Sequence, residues 1–361
     1  MDKNDNLLCS VSTLLLLQND CETLKAIATT VRDPIISLFM IPYYALFCKS
    51  FQELTNSKLL DEEKDIGIAN LRNSIKNLEK RFGKLTSIYS TIDTEQDEYF
   101  RRQIKFGLGN ILDIHYNLGV YFNQKKRIIG NTQLAAAYYD SYSSSANTKQ
   151  KAYEIGYNLS SIIGSVSKGL SSKNQPHLIE VKYQKEPLYY WDINTDRNHL
   201  FNSAFDKTIN LLLLHILSEL CFVQNCIEPI LPSENTWLLR IKYISVYYAV
   251  KGLRRILNHM IQKGTKNDFT KMLEEIMNSE NNLFSSVFRN CMMHYSLDNH
   301  GTFAISKDYY NAAKPFHGLI ESCFTGLSYE DYFCKLSSFG SHISDFISDL
   351  FYIDESKLKV L

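Results

Sequence analysis

Residues 282–297 read NLFSSVFRNCMMHYSL, and their spacing decides the class of fold. Laid out at about 100° per residue with Arg289 as zero, Phe284, Val287, Phe288, Cys291, Met292 and Tyr295 fall between about 160° and 300°. A broad apolar stripe of this kind marks a helix that packs one face on a core. The same period recurs upstream, where Ile68, Leu71, Ile75, Leu78 and Phe82 advance by threes and fours and Gly83 stops them. Further helical patterns cover 96–122, 208–226, 235–263, 268–277, 309–325 and 329–351, and another covers 131–170 with the polar stretch 141–147 as a loop inside it. Over 171–199 the period lapses; 178–183 and 188–191 read as short strands, with Pro176 and Pro187 as punctuation. The expectation is an all-α, multi-helix bundle. It divides into an N-terminal helical domain over 1–170, a linker or short β-hairpin insertion over 171–199 (strands near 178–191), and a C-terminal helical domain over 200–361.

Composition narrows the function classes. With 361 residues, 45% hydrophobic and 22% charged, and with only 15 Gly and 7 Pro, the chain can bury a core without crosslinks. The formal net charge is zero, so any hold on nucleic acid must come from a local patch rather than from the field of the whole molecule. Eight cysteines without a CxxC pair read as reduced thiols of a cytoplasmic protein. The first residues carry no basic run, and Leu14 to Leu17 are too few for a secretory core, so no export signal is expected. The apolar window 35–48, about 14 residues with Pro42 inside it, falls short of the roughly 20 a membrane span needs, and no membrane partner is expected.

Beside the core stripe of 282–297 lie three polar residues, Arg289, Asn290 and His294, at about 0°, 100° and 140°. Together they suit RNA chemistry, because RNA carries its own nucleophile, the 2′-OH beside each phosphate. An imidazole that titrates near neutral pH suits proton transfer. A guanidinium offers a fork of donors to phosphate oxygens. An amide can orient either group without shuttling protons. Arg254 and His259 also stand five residues apart, so the Asn directly after Arg289 is what makes the first set distinctive.

In the run Arg289-Asn290-Cys291-Met292-Met293-His294 the chain resembles the HEPN superfamily, whose ribonuclease members carry an Arg and a His with four to six residues between them, often with a polar residue after the Arg. The resemblance implies a HEPN-like helical domain in the C-terminal region. It also implies metal-independent cleavage of RNA by 2′-OH transesterification, with no cofactor, at a composite site formed where two motif helices face each other, often across a homodimer. A role in prokaryotic defence or as a toxin is implied too, with an antitoxin or activating partner. Arg72-Asn73-Ser74-Ile75-Lys76-Asn77 opens in the same way but has Asn where the His belongs, and reads as a degenerate partner motif or as the solvated side of a helix.

The helix over 235–263, extended to Lys266, carries Arg240, Lys242, Lys251, Arg254, Arg255, Lys263 and Lys266 with no acid. Lys251, Arg254, Arg255 and His259, with Tyr247 before them, are the candidate RNA-binding residues. The opposite line, Trp237, Ile241, Ile244 and Tyr248, should pack inward. Gly107-Leu108-Gly109 lacks the strand and third Gly of a dinucleotide loop, and His115, His215 and His317 lack companions at metal-site spacing. The competing readings are a non-catalytic helical nucleotide- or RNA-binding module and a helical scaffold.

Overall fold

The computed structural model describes residues 3–57, 62–103, 115–139, 145–170, 179–197, 199–280, 282–299 and 302–361. The described residues form twelve α-helices and a small four-stranded sheet, the mostly helical architecture that the periodicity predicts. The N-terminal part holds α1 (Lys3–Thr30), α2 (Pro34–Thr55), α3 (Glu62–Ser74) and α4 (Phe82–Gln103), then β1 (Leu118–Phe122), β2 (Ile128–Asn131), α5 (Thr132–Tyr139) and α6 (Ser145–Leu170). After β3 (Tyr189–Ile193) come α7 (Lys207–Phe222), α8 (Thr236–Gln262), α9 (Asp268–Asn278) and α10 (Ser286–His294). The hairpin β4 (Asp298–Asn299) and β5 (Thr302–Phe303) is followed by α11 (Leu319–Cys323), α12 (Tyr329–Ser348) and β6 (Lys359–Val360).

Local chemistry fixes many of the helix starts. Asp33, Asp206, Asn235 and Ser328 each accept a backbone N–H of the first turn, and Asn267 and Thr270 form a reciprocal capping box. The sheet runs β2-β1-β3-β6 with every pair antiparallel, Val120 opposite Trp191. Gly130 in β2 lies under the Phe39 ring, where a Cβ would collide with it. One apolar core runs from Cys9 to Phe351, so helices from either side of the expected boundary at 171–199 share it. Its axis is α8, whose Trp237, Ile241, Ile244 and Tyr248 are all buried as the pattern predicts.

Several element boundaries differ from expectation. The row Ile68 to Phe82 is not one helix: α3 ends at Ser74, a 3₁₀ turn covers Asn77–Glu79, and Gly83 lies in the first turn of α4. Its apolar members still face the core, with Ile68, Leu71, Ile75 and Leu78 buried, so the period records burial across a break in the backbone. The helix expected over 96–122 is described as far as Gln103, and 118–122 is a strand; the Gly107-Leu108-Gly109 run lies outside the described residues, as do 141–144 of the expected loop. No hairpin forms over 179–191: residues 179–188 carry no strand, and β3 pairs with β1 and β6 instead. The helix expected over 309–325 shrinks to α11, because Phe316 and His317 adopt left-handed backbone (φ 57° and 52°). Among the described residues two segments are long and apolar enough to cross a membrane, Pro34–Thr55 and Lys207–Ile230, with 61% and 89% of their apolar windows buried inside the fold. The first exceeds the stretch read from sequence because the helix runs on past Cys48 to Thr55. All eight cysteines are free thiols.

Candidate active site

The motif helix α10 is shorter than 282–297 and is held at both ends. Ser285 caps it by accepting the Phe288 N–H at 3.0 Å. Tyr295 ends it in left-handed backbone, φ 56°. The last carbonyls of a helix have no partner within it, and here side chains from three other helices supply them. Arg240 of α8 donates to the Cys291 and Met292 carbonyls at 2.9 and 2.8 Å, Ser50 of α2 to that of Met293 at 3.0 Å, and Thr13 of α1 to that of Tyr295 at 3.3 Å. Arg240 can be buried because Asp20 neutralises it at 2.7 Å and the Tyr295 ring lies 3.6 Å from its guanidinium. The Tyr295 hydroxyl donates to the same carboxylate at 2.6 Å. Arg240 therefore belongs to the interior rather than to the basic face of α8. Lys242 does too, buried against Glu228 at 2.5 Å and over the Phe333 ring at 4.6 Å.

Thus anchored, α10 presents Arg289, Asn290 and His294, all half-buried. Arg289 donates to the Asn290 side-chain oxygen at 3.2 Å and lies 3.4 Å from the Tyr248 hydroxyl and 3.5 Å from Glu79. His294 meets a second arginine: Nη2 of Arg72 is 2.6 Å from its Nδ1, and Nη1 of Arg72 is 2.5 Å from Glu53. A guanidinium only donates, so Nδ1 accepts and the proton of a neutral imidazole sits on Nε2. Burial, then the charges of Arg72 and Lys76, hold the His294 pKa below its ordinary value, against the pull of Glu53 3.6 Å away. Burial and the charges of Arg72 and Arg289 likewise lower the Lys76 pKa. Burial disfavours charge on Arg289, but Tyr248 and Glu79 outweigh it and raise its pKa. The arrangement is a neutral imidazole beside Arg72 and Lys76, with Arg289 in turn close to Lys76 and with Glu53 and Glu79 at the edges.

Of the residues singled out on α8, Lys251 lies 5.1 Å from the Tyr247 ring and Arg254 pairs with Glu280. Arg255 donates to the Glu79 carbonyl at 3.3 Å, and His259 stacks on Phe82 at 3.9 Å. Lys251, Arg255 and His259 are half-buried and Arg254 is exposed. Glu79 joins the two groups, since its carboxylate faces Arg289 and its carbonyl receives Arg255.

Glu53, Lys76, Glu79 and Tyr248 had no recognised part in the site from sequence; only the Arg72-Asn73 echo of the motif pointed outside the C-terminal half. His115, given no partner from sequence, has Asp97 at 2.6 Å, and with Asn117 and Thr195 this pair ties α4 to the sheet. Among the described residues no group of three or more His, Cys, Asp or Glu side chains is placed to hold a metal ion. Comparison of the chain with family models, with curated proteins and with solved structures finds no match.

Proposed function

We propose that this chain is a metal-independent endoribonuclease whose centre is His294, Arg289 and Asn290, with Arg72 as the second arginine. The observation that carries the reading is the 2.6 Å contact between Arg72 and His294 Nδ1 beside Arg289. It joins a base kept neutral at physiological pH to two phosphate-binding forks. In the free chain Arg72 covers the lone pair of Nδ1. A phosphodiester entering between the arginines draws the guanidinium onto its oxygens, and the 2′-OH takes its place at Nδ1. His294 then removes the 2′-OH proton, the 2′-oxygen bonds to phosphorus, and the bond to the 5′-oxygen breaks. That oxygen takes up a proton from water, leaving a 2′,3′-cyclic phosphate and a 5′-hydroxyl. The arginines stabilise the phosphorane. Because Arg72 arrives from the same chain, the composite site implied by the motif is read here as built in cis, without a homodimer to pair its arginines. The defence or toxin role rests on the resemblance alone.

Incubation with single-stranded RNA in EDTA is the test. The wild type should cleave it, and His294→Ala should lose about 10²- to 10⁴-fold, the usual worth of a general base. A wild type that leaves RNA intact while binding it would favour the other reading, a nucleotide- or RNA-binding module, which the covered Nδ1 of the free chain also supports.

A further inference from the structure

Between α3, α4 and α5 lies a cleft of about 630 Å³, within the usual range for small-ligand sites. Its wall is amide-rich, with Asn70, Asn73 and Asn77, and its apolar part is made by Ile88, Ala137 and Tyr138. Two further lining residues connect it to the arginine cluster. Glu79 is the 3.5 Å partner of Arg289, and Lys76 stands in the field of both Arg72 and Arg289. Three cations held this close repel one another, a cost that an anion seated among them would relieve. Neither arginine lines the cleft itself, but behind its Lys76 wall the Nε of Arg72, a side chain only 6% exposed, and the Nε of Arg289 are both buried with no hydrogen-bond partner. A buried donor left unmatched is costly, and a phosphate oxygen that drew the guanidinium toward the cleft would remove that cost.

We propose that this cleft is the subsite for one nucleotide of a single-stranded RNA, its phosphate among Arg72, Lys76 and Arg289 and its base against Ile88 and the Asn70 and Asn73 amides. An amide offers a donor and an acceptor side by side, the pattern that base edges present, so the subsite reads base identity as well as charge. Asn77 has a supporting role, since its side-chain oxygen accepts from Lys80 at 2.5 Å and places that second ammonium on the rim. The subsite rests on the ribonuclease reading of His294 for its substrate, but its occupancy can be measured without cleavage.

The experiment uses the full chain carrying His294→Ala and a fluorescein-labelled eight-nucleotide single-stranded RNA of mixed sequence, in EDTA, with anisotropy read from 50 to 200 mM salt. Adding Lys76→Ala should weaken binding about tenfold and reduce the log–log salt slope by about 1, the signature of one lost phosphate contact. Lys76→Arg should restore the slope. Asn73→Ala should keep the slope and change the ranking among oligo-A, -C, -G and -U. Lys271→Ala, in an exposed side chain of α9, is the control and should change neither. Equal affinity and slope for Lys76→Ala and Lys271→Ala, in a protein whose wild type cleaves RNA, would overturn the subsite and leave the ribonuclease standing. Binding that depends on Lys76 and Asn73 in a protein whose wild type never cleaves would do the reverse. Failure of the RNA to bind at all would remove the subsite.

Discussion

His294 and His215 show how position sets what an imidazole does. His294 is half-buried beside two cations, so its proton is lost more easily than that of a free histidine. The acid limb of kcat/KM for RNA cleavage should therefore lie below pH 6.5, and Lys76→Met, which removes one of those cations, should move it upward; a pH–rate profile of the two proteins checks this. His215 is buried with neither ring nitrogen hydrogen-bonded, against the Tyr89 ring at 4.2 Å, and burial pushes its pKa down to about 3. The sign of the consequence is fixed by linkage. The unfolded chain takes the proton first, so the stability contribution is complete above about pH 6.5 and is lost as pH falls from there toward 3. His294 adds to the same window in the same direction. His215→Leu should raise stability at pH 7 by about 1–3 kcal/mol, the cost of an unmatched buried polar group, and should flatten the fall in Tm between pH 7 and pH 5. An unchanged fall would assign the acid sensitivity elsewhere. The sequence singled out His294 through its spacing from Arg289 and Asn290; around His215 the run Leu211 to Leu217 points to burial, but nothing in it shows that both ring nitrogens lack a hydrogen bond.

At the scale of elements, α10 is a nine-residue helix that caps make definite. Ser285→Ala should cost about 1 kcal/mol in denaturant unfolding, the usual worth of an N-cap. Arg240→Ala should cost about 3–5 kcal/mol, because it leaves Asp20 charged and buried. It should also lower RNA cleavage in the folded fraction, by releasing the carbonyls that hold α10. A variant as stable as the wild type would show that the buried pair has no such role. The stripe on 282–297 was readable because burial repeats with the helical period. The C-terminal end was not, because its carbonyls are taken up by Ser50, Thr13 and Arg240 from distant parts of the chain, whereas the start has its cap next to it in Ser285. The same limit explains α3 and α4, where one apolar row crosses two breaks, and 118–122, where Val120 and Phe122 suit a strand or a helix equally until β3 pairs with them.

For the whole molecule, the consequential arrangement is that α3 and α10, from opposite halves of the sequence, face each other through Arg72 and His294. Mixing Arg72→Ala chains with His294→Ala chains should therefore recover no cleavage at any concentration, while recovery would place the pairing between two copies. Composition and period gave the helical class; the pairing of halves was beyond them, because it depends on a shared core that no local pattern records. That shared core also carries a kinetic consequence through the end of α10. The carbonyls at that end and its histidine are satisfied by partners 51 to 282 residues away in the chain. Contacts of such long range close late in folding, after the local helices have formed. On the proposed ribonuclease reading, competence to cut RNA would then arise only at completion of the fold, whatever helix a nascent or partly opened chain retains. Hydrogen exchange should accordingly find activity lost with the opening of α1 to α3 rather than with global unfolding.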